Sequence, residues 1–209
     1  MEKGKFITFE GGEGVGKSTQ LNMLRDYLKG TNQSAEFLRE PGGNPISEKI
    51  RNIILDKANM EITDKCEAFL YSSARAQLME QKIIPMLNDG KLVVCDRFTD
   101  STIAYQGVAR GLGVDFIEQL NKLACGDYMP DVTIFLDLDP VNAFKRKGGA
   151  DKNDRIELQS LEFHQKVYEG YLLACKLHPD RIIKIVPTGT KFETNRLIIR
   201  ALQERGIIR

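Results

Sequence analysis

The segment FITFEGGEGVGKS, residues 6–18, decides how this chain folds. In it, Gly11 is followed by four unconstrained positions and then by Gly-Lys-Ser at 16–18, which is the spacing of a P-loop. The preceding FITF is short, apolar and β-branched, and it predicts a buried strand. The following STQLNMLRDYL carries leucines at helical spacing. Strand, turn and helix therefore come in the order that a phosphate-binding loop requires.

The turn between that strand and that helix has the chemistry of a nucleotide phosphate site. Glycines let successive backbone N–H groups point at an anion, and the N-terminus of the helix adds partial positive charge. Lys17 supplies a mobile cation, and the Ser18 hydroxyl is a ligand for the Mg²⁺ that accompanies a nucleotide triphosphate. The alternative is a glycine-rich turn that binds nothing.

Composition limits the class of protein. At 209 residues with 42 % hydrophobic content the chain can bury one substantial core, so we expect a single domain over 1–209. Thirty Lys and Arg against 29 Asp and Glu give a net charge of +1, which argues against a nucleic-acid or membrane surface and favours a small ligand. Four dispersed cysteines without a CxxC pair indicate reduced thiols. With no signal-peptide pattern and no apolar run long enough to cross a bilayer, we expect a cytoplasmic location.

Short apolar runs recur along the chain between longer helical patterns. They are AEFLRE at 35–40, KLVVCD at 91–96, VTIFLDL at 132–138 and IIKIV at 182–186. Together with the first strand, this alternation predicts an α/β fold of the P-loop NTPase type, with a five-stranded parallel sheet and helices on both faces. The charged, glycine-containing segment KRKGGADKNDR at 145–155 predicts a mobile lid.

Residues just after parallel strands meet at one edge of the sheet, where ligands bind. Arg39 and Arg97 are therefore expected to face the same crevice as Lys17. Arg97 suits bidentate recognition of phosphoryl groups, although a structural ion pair is the alternative. Asp96 ends an apolar strand, where a carboxylate reaches Mg²⁺ directly or through water, so Ser18 and Asp96 are the predicted metal ligands. The alternatives for Asp96 are a helix N-cap and a partner for Arg97.

The chain offers a chemical acceptor site rather than a GTP switch. NKLA at 121–124 lacks the aspartate of the guanine-reading NKxD pattern. A long helix predicted over about 64–88 places Tyr71 and Arg75 one turn apart on one face. One side chain can stack on a base while the other donates hydrogen bonds to it. The alternative is a core tyrosine beside a solvated arginine.

Four motifs, in this order and at this spacing, resemble the bacterial thymidylate kinases over essentially the whole chain. They are FEGGEGVGKS, REPGG, DRFTDSTIAYQG and DRIE. The resemblance implies transfer of the γ-phosphoryl group of ATP to dTMP, giving dTDP, with Mg²⁺ as cofactor, as a step of dTTP biosynthesis. It also implies a homodimer.

The resemblance implies a role for each matching residue. The ATP-binding residues are Gly11, Gly12, Glu13, Gly14, Val15, Gly16, Lys17, Ser18 and, from the lid, Arg146. The substrate-binding residues are Glu13, Arg39, Tyr71, Arg75, Arg97, Thr102, Tyr105 and Gln106. Among these, Arg39 and Arg97 grip the acceptor phosphate, Glu13 contacts the 3′-hydroxyl and Tyr105 lies against C2′. Tyr71 stacks on thymine, and Arg75 and Gln106 read its polar edge.

The P-loop contains no arginine, which matches the family variant in which the lid supplies the basic residues. The candidates are Lys145, Arg146, Lys147 and Arg155. The catalytic residues implied are Lys17, Arg97 and Arg155. Two positions depart from the family pattern: Phe98 replaces a polar aromatic residue, and Tyr71 stands where many members have phenylalanine.

Two rival hypotheses remain. A P-loop regulatory or assembly protein would hydrolyse ATP and give no phosphorylated product. A kinase with the same chemistry would act on another nucleoside monophosphate or on a small metabolite.

Overall fold

The computed structural model describes residues 3–147 and 154–209, and a five-stranded, fully parallel sheet runs through them. Its strand order is β2-β3-β1-β4-β5. The strands are β1 (Phe6–Glu10), β2 (Ala35–Arg39), β3 (Leu92–Asp96), β4 (Val132–Leu136) and β5 (Ile182–Ile185). The predicted α/β sheet is confirmed. Strands β2, β4 and β5 end one or two residues before the runs that predicted them, and β3 ends where its run ends, at Asp96.

Helices cover both faces of this sheet, as predicted. They are α1 (Lys17–Gly30), α2 (Pro45–Leu55), α3 (Asp64–Leu78), α4 (Ile84–Asn88), α5 (Thr99–Thr102), α6 (Val114–Cys125), α7 (Pro140–Lys147), α8 (Leu161–Leu177) and α9 (Lys191–Glu204). Two further segments are π-helical, Met79–Ile83 and Ile103–Ala109. The long helix predicted over about 64–88 is therefore continuous but has a π-helical turn between α3 and α4.

Alternation of side chains along the central strands divides the core between the two faces. Ile7 and Phe9 of β1 pack with apolar residues of α1 and α9 on one face. Phe6, on the same strand, packs on the opposite face with α3, α4 and the π-helical turn between them. Every residue of β1 and β4 is buried, which explains their nearly continuous apolar sequence.

The sheet brings three polar strand ends together. In the register of the sheet, Phe9 lies beside Asp96, and Asp96 lies beside Arg39. The segments that follow β1, β2 and β3 therefore begin at one edge of the sheet, where ligands bind in open α/β folds.

Part of the predicted lid lies outside the described residues. Of the segment 145–155, the structure describes the end of α7 and then residues 154 and 155, while 148–153 lie in the gap. In the described ranges no helix combines the length and apolar character needed to cross a membrane.

Candidate active site

The P-loop is wrapped around the side chain of Lys17. Gly14 and Gly16 have φ values of 74° and 98°, in the left-handed region that glycine reaches without strain, and α1 begins directly after Gly16. Lys17 Nζ donates to the carbonyl oxygens of Gly11 at 2.9 Å and Gly12 at 3.0 Å. Burial, followed by the nearby charge of Arg97, lowers the pKa of Lys17 to about 8. The lysine is therefore held inside the loop as a cation that is costly to keep charged.

Two clefts meet at Lys17 and Ser18. One of them, the α3 pocket, has a volume of about 830 Å³ and extends from the P-loop to α3. Of the predicted site residues it is lined by Glu13, Lys17, Ser18, Tyr71, Arg75, Asp96, Arg97, Thr102, Tyr105 and Gln106. This size and this mixture of aromatic and polar side chains suit a nucleotide-sized ligand.

The second cleft lies on the other side of the P-loop. It is lined by P-loop residues from Glu13 to Ser18, by Arg146, and by Pro187, Lys191 and Thr194 from the region after β5. Arg146 thus lies where the resemblance placed it, beside the phosphate loop. Sequence reasoning missed Lys191 and Thr194, although the position of PTGT directly after β5 was a signal for them.

Arg97 lines the α3 pocket and has a left-handed backbone conformation, with φ of 67°. Its Nη2 donates to Glu13 Oε1 at 2.6 Å, and its Nη1 donates to Gly11 O at 3.0 Å and Tyr171 Oη at 2.9 Å. The guanidinium is therefore tied to the P-loop on one side and to α8 on the other.

The buried carboxylate of Glu10 stabilises this backbone conformation. Glu10 Oε1 accepts from the backbone N–H groups of Phe98 at 2.7 Å and Ser101 at 3.2 Å, directly after Arg97. Its Oε2 accepts from Ser101 Oγ at 2.6 Å and from Tyr171 Oη at 3.1 Å. Burial, and then the charge of Asp100, raise the pKa of Glu10 to about 7. Sequence reasoning gave Glu10 no role.

Asp96 and Ser18 offer hard oxygen ligands. Within the described part of the chain, Asp96 Oδ1 is buried and has no hydrogen-bond partner, and both residues line the α3 pocket. A buried carboxylate oxygen without a partner is costly unless something absent from the protein chain satisfies it, and a divalent cation does so. The alternatives for Asp96 are not observed: Phe98 occupies the N-cap of α5, and Arg97 pairs with Glu13. The two residues fit the predicted Mg²⁺ site.

At the α3 end of the α3 pocket, Arg75 is buried in a hydrogen-bond network. Its Nε and Nη2 donate to the two carboxylate oxygens of Glu40 at 2.7 and 2.8 Å. Its Nη1 donates to Asn121 Oδ1 at 2.5 Å, and its Nη2 also donates to Thr102 Oγ1 at 2.7 Å. Only 1 % of the residue is exposed, so the alternative of a solvated arginine is wrong. Tyr71 lines the same pocket, one turn earlier on α3.

The comparisons with known proteins agree with this geometry. The profile of the family described as thymidylate kinase matches residues 9–198. The chain belongs to the thymidylate kinase family. It is 44 % identical over 202 residues to a thymidylate kinase of Caldanaerobacter subterraneus subsp. tengcongensis, covering 97 % of this chain and 96 % of the relative. It is 46 % identical over 204 residues to that of Symbiobacterium thermophilum, covering 98 % and 94 %. The crystal structure of thymidylate kinase from Ehrlichia chaffeensis superposes with a TM-score of 0.79 at 32 % identity, covering 96 % of this chain and 99 % of that one.

Family membership confirms the resemblance and the enzyme class, while some predicted site residues of this thymidylate kinase family member lie elsewhere than expected. Arg39 does not line the α3 pocket. It is exposed, it donates from Nη2 to Glu48 Oε2 at 2.9 Å, and it lines a separate cleft beside Ser18 and Asp96. In this conformation Glu48, in the first turn of α2, holds the guanidinium on the outer side, so contact between Arg39 and the acceptor phosphate stays a prediction.

Arg51 takes the place expected of Arg39. It lines the α3 pocket, and its Nη1 donates to Pro41 O at 3.0 Å. The signal for it was the spacing of Ser47, Arg51 and Ile54, which puts the arginine on the inward face of α2 between two buried residues.

Arg155 lies outside the two clefts that meet at the P-loop. It is buried, its Nε donates to Ile54 O at 2.8 Å, and its Nη2 pairs with Glu67. Because the guanidinium is bonded to α2 and α3 in this conformation, the catalytic role implied for Arg155 stays a prediction. Of the remaining lid candidates, Lys145 and Arg146 are exposed at the end of α7.

Phe98 packs in the core and also borders the α3 pocket. It is fully buried, its ring centroid lies 5.0 Å from the ring centroid of Phe6, and Arg75 Cζ lies 5.2 Å from the Phe98 centroid. The departure from the family pattern therefore places an apolar floor beneath Arg75.

Proposed function

We propose that the enzyme transfers the γ-phosphoryl group of ATP directly to dTMP, giving dTDP and ADP. Family membership supports the two substrates, and one observation of the structure supports direct transfer: the two clefts meet at Lys17 and Ser18, and Arg97 lines the α3 pocket beside them. Donor and acceptor phosphates bound in these clefts would approach each other at that point. Phosphoryl transfer then needs alignment and charge stabilisation rather than covalent catalysis.

ATP occupies the second cleft in this proposal, with its phosphates on the backbone N–H groups of the P-loop. Lys17 leaves the carbonyl oxygens of Gly11 and Gly12 and binds the donor phosphates instead. Arg146 contributes a further cation from the end of α7. These positive charges lower the repulsion between two anionic substrates and stabilise charge on the transferred group.

The acceptor dTMP occupies the α3 pocket. Tyr71 stacks on thymine, while Arg75 and Gln106 meet the polar edge of the base. Arg51 and Arg97 bind the acceptor phosphate, and Arg97 exchanges its bond to Glu13 for a phosphoryl oxygen. Glu13 is then available to the 3′-hydroxyl, and the ring of Tyr105 closes the pocket around C2′. Thr102 supports Arg75, to which it is already bonded.

Ser18 and Asp96 would hold Mg²⁺, directly or through water. When bound, the ion neutralises phosphate charge and orients the donor. The unpaired Oδ1 of Asp96 supports this assignment.

We also propose that residues 1–209 act as one domain in which 145–155 serves as the lid, and that the enzyme works in the cytoplasm. Closure of the lid would exclude water, which would otherwise compete with dTMP for the phosphoryl group.

A substrate panel tests the function. The enzyme is incubated with Mg·ATP and dTMP, dUMP, dCMP, dGMP or AMP, and products are identified by mass. We expect dTDP to form far faster than the cytosine and purine diphosphates, and EDTA to stop the reaction. Preference for AMP or dCMP would reject the acceptor, and ADP release without any nucleoside diphosphate product from the acceptor would favour the regulatory ATPase.

The proposed assembly is a homodimer formed through α3 and α6. Phe69 and Leu123 are exposed on these helices, and the Phe69 ring lies 6.1 Å from that of Phe116. An apolar strip of this kind suits a second copy of the chain. The family resemblance supports the same arrangement.

A further inference from the structure

Glu67 is a buried carboxylate that the proposed mechanism does not use. It lies on α3, one turn before Tyr71, with 1 % of the residue exposed. Its Oε1 accepts from Gln106 Nε2 at 2.8 Å and from Arg110 Nε at 3.1 Å. Its Oε2 accepts from Arg110 Nη2 at 3.1 Å and from Arg155. Four donors on three side chains thus converge on one carboxylate.

This surrounding keeps Glu67 ionised. Burial opposes the charge, but hydrogen bonding and attraction from Arg110, together with the bonds from Gln106 and Arg155, hold the pKa of Glu67 below its ordinary value. An ionised carboxylate can only accept hydrogen bonds. The side-chain amide of Gln106 must therefore turn its NH₂ group toward Glu67.

The orientation of that amide decides what the pocket offers to a ligand. Gln106 is buried and lines the α3 pocket together with Arg75. Because its NH₂ group is committed to Glu67, the carbonyl oxygen is the polar atom of Gln106 that remains for the pocket. Arg75 can only donate. The polar end of the pocket thus combines one fixed acceptor with one fixed donor.

We propose that Glu67 is a positioning residue that determines base specificity, by holding the Gln106 amide with its carbonyl oxygen toward the base. This inference rests on the proposed function. Thymine presents an N3–H donor and an O4 acceptor, which complement an acceptor and a donor. Cytosine presents the reverse pair, an N3 acceptor and a 4-amino donor, so that acceptor meets acceptor and donor meets donor. A free amide could rotate to relieve the first mismatch, and Glu67 prevents this rotation.

A matched pair of variants tests the proposal. Arg110→Met removes a charged partner of Glu67 but keeps the bond to Gln106. The double variant E67Q/R110M also replaces the Glu67 carboxylate by an amide. Relative to the parent it removes one negative and one positive charge, so the net charge of the cluster is unchanged. Initial rates are measured at saturating Mg·ATP with dTMP and dCMP varied in parallel, and the melting temperature of each variant checks its fold.

We expect R110M to keep the parental ratio of kcat/KM for dTMP over dCMP. We expect that ratio to fall about tenfold in E67Q/R110M, because a neutral amide at position 67 lets the Gln106 side chain rotate. The KM for ATP stays within about twofold in both, since loss of one hydrogen bond at the base is remote from the donor cleft. Equal ratios in the two folded variants would overturn the proposal, because a purely structural Glu67 changes both substrates alike.

If E67Q/R110M does not fold, the parent enzyme decides with N3-methyl-dTMP. Replacing N3–H by a methyl group should lower kcat/KM by about a hundredfold if the Gln106 carbonyl accepts from N3, and unchanged turnover would overturn the proposal. A parent enzyme that does not prefer dTMP at all would instead reject the proposed function, so the two failures are distinguishable.

Discussion

Arg97 is the residue on which the site depends most. A non-glycine residue in the left-handed region costs about 1–2 kcal/mol, and here that cost is offset by surrounding bonds. The backbone N–H of Arg97 donates to Phe9 O at 2.9 Å, and Glu10 accepts the N–H of Phe98 directly after it. The strand end is thereby turned so that the guanidinium reaches back over the P-loop.

Replacement of Arg97 by alanine should lower kcat by about a thousandfold, since an arginine that bridges donor and acceptor phosphates supplies stabilisation of that order in related chemistry. Arg97→Lys should recover only part of the rate, because it restores the charge without the planar fork. Steady-state kinetics with dTMP and Mg·ATP measure both, and thermal melts check the fold. A folded Arg97→Ala enzyme with near-normal kcat would show that Arg97 is only an ion-pair residue.

Lys17 should make nucleotide binding depend on pH. Its pKa of about 8 in the free enzyme should rise when phosphates replace the Gly11 and Gly12 carbonyls, because anions favour the charged form. Between the free and the bound pKa, binding must take up a proton, so affinity falls as pH rises above about 8.

Isothermal titration calorimetry with ADP measures this proton uptake when it is repeated in buffers of different ionisation enthalpy. A pH of about 9 is suitable, because it lies roughly midway between the pKa of Lys17 in the free enzyme and the ordinary lysine pKa. We expect uptake of most of one proton for the parent and of none for Lys17→Met. Absence of uptake in the parent would mean that Lys17 is charged in both states at this pH.

At the scale of elements, the π-helical segment Ile103–Ala109 carries two predicted substrate residues, Tyr105 and Gln106. Helix α8 packs closely against it at Gly170, which is buried. A Cβ atom at Gly170 would lie 2.6 Å from Ala104 Cα and 3.0 Å from Ala104 O. The absence of a side chain at this position therefore lets two backbones approach beneath the pocket.

Gly170→Ala should destabilise the fold by about 1–3 kcal/mol, because overpacking against backbone outweighs the higher helix propensity of alanine. The displaced segment carries Gln106, so the KM for dTMP should rise more than the KM for ATP. Urea unfolding and steady-state kinetics check the two parts. The exposed Glu169→Ala on the same helix is the matched control, and equal stability of the two variants would contradict the steric argument.

The order of the elements was predictable because a buried parallel strand is a short apolar run, which can be recognised in the sequence without knowing which strands it pairs with. The π-helical segments were not, since one inserted residue per turn hardly changes apolar periodicity. Side-chain direction was the other failure. Arg39 follows a strand as predicted, yet Glu48, nine residues later, captures it.

Pairing across the fold was likewise invisible in the sequence. The Glu40–Arg75 ion pair joins the residue after β2 to α3, and the Arg155–Glu67 ion pair joins the end of the predicted lid segment to α3. Family resemblance names such residues without their partners. One consequence is that Arg75→Ala is a poor test of base reading, because it would leave Glu40 buried without its partner and cost roughly 3–5 kcal/mol.

At the scale of the whole molecule, the apolar strip runs over α3 and α6, and α3 also carries Tyr71 and Arg75. Of the described large apolar side chains, Leu123 is the most exposed at 83 %, and Phe69 is 50 % exposed. Phe116, Leu120 and Leu123 recur at helical spacing, and Phe116 contacts Phe69, so the strip is continuous between the helices. Dimerisation there would support α3, and with it the acceptor pocket, from outside.

Leu123→Asp should therefore convert the proposed dimer to a monomer, because a dimer would have to bury an unpaired carboxylate at the centre of the strip. Sedimentation velocity at micromolar concentration measures the change. Leu197→Asp is the matched control, since Leu197 is 44 % exposed on α9, on the opposite face of the sheet, and should leave the dimer intact. If α3 depends on the partner, the monomer should bind dTMP several-fold more weakly at an unchanged KM for ATP. Dimers that persist in Leu123→Asp, or a parent enzyme that sediments as a monomer, would rule out this face as the dimer interface.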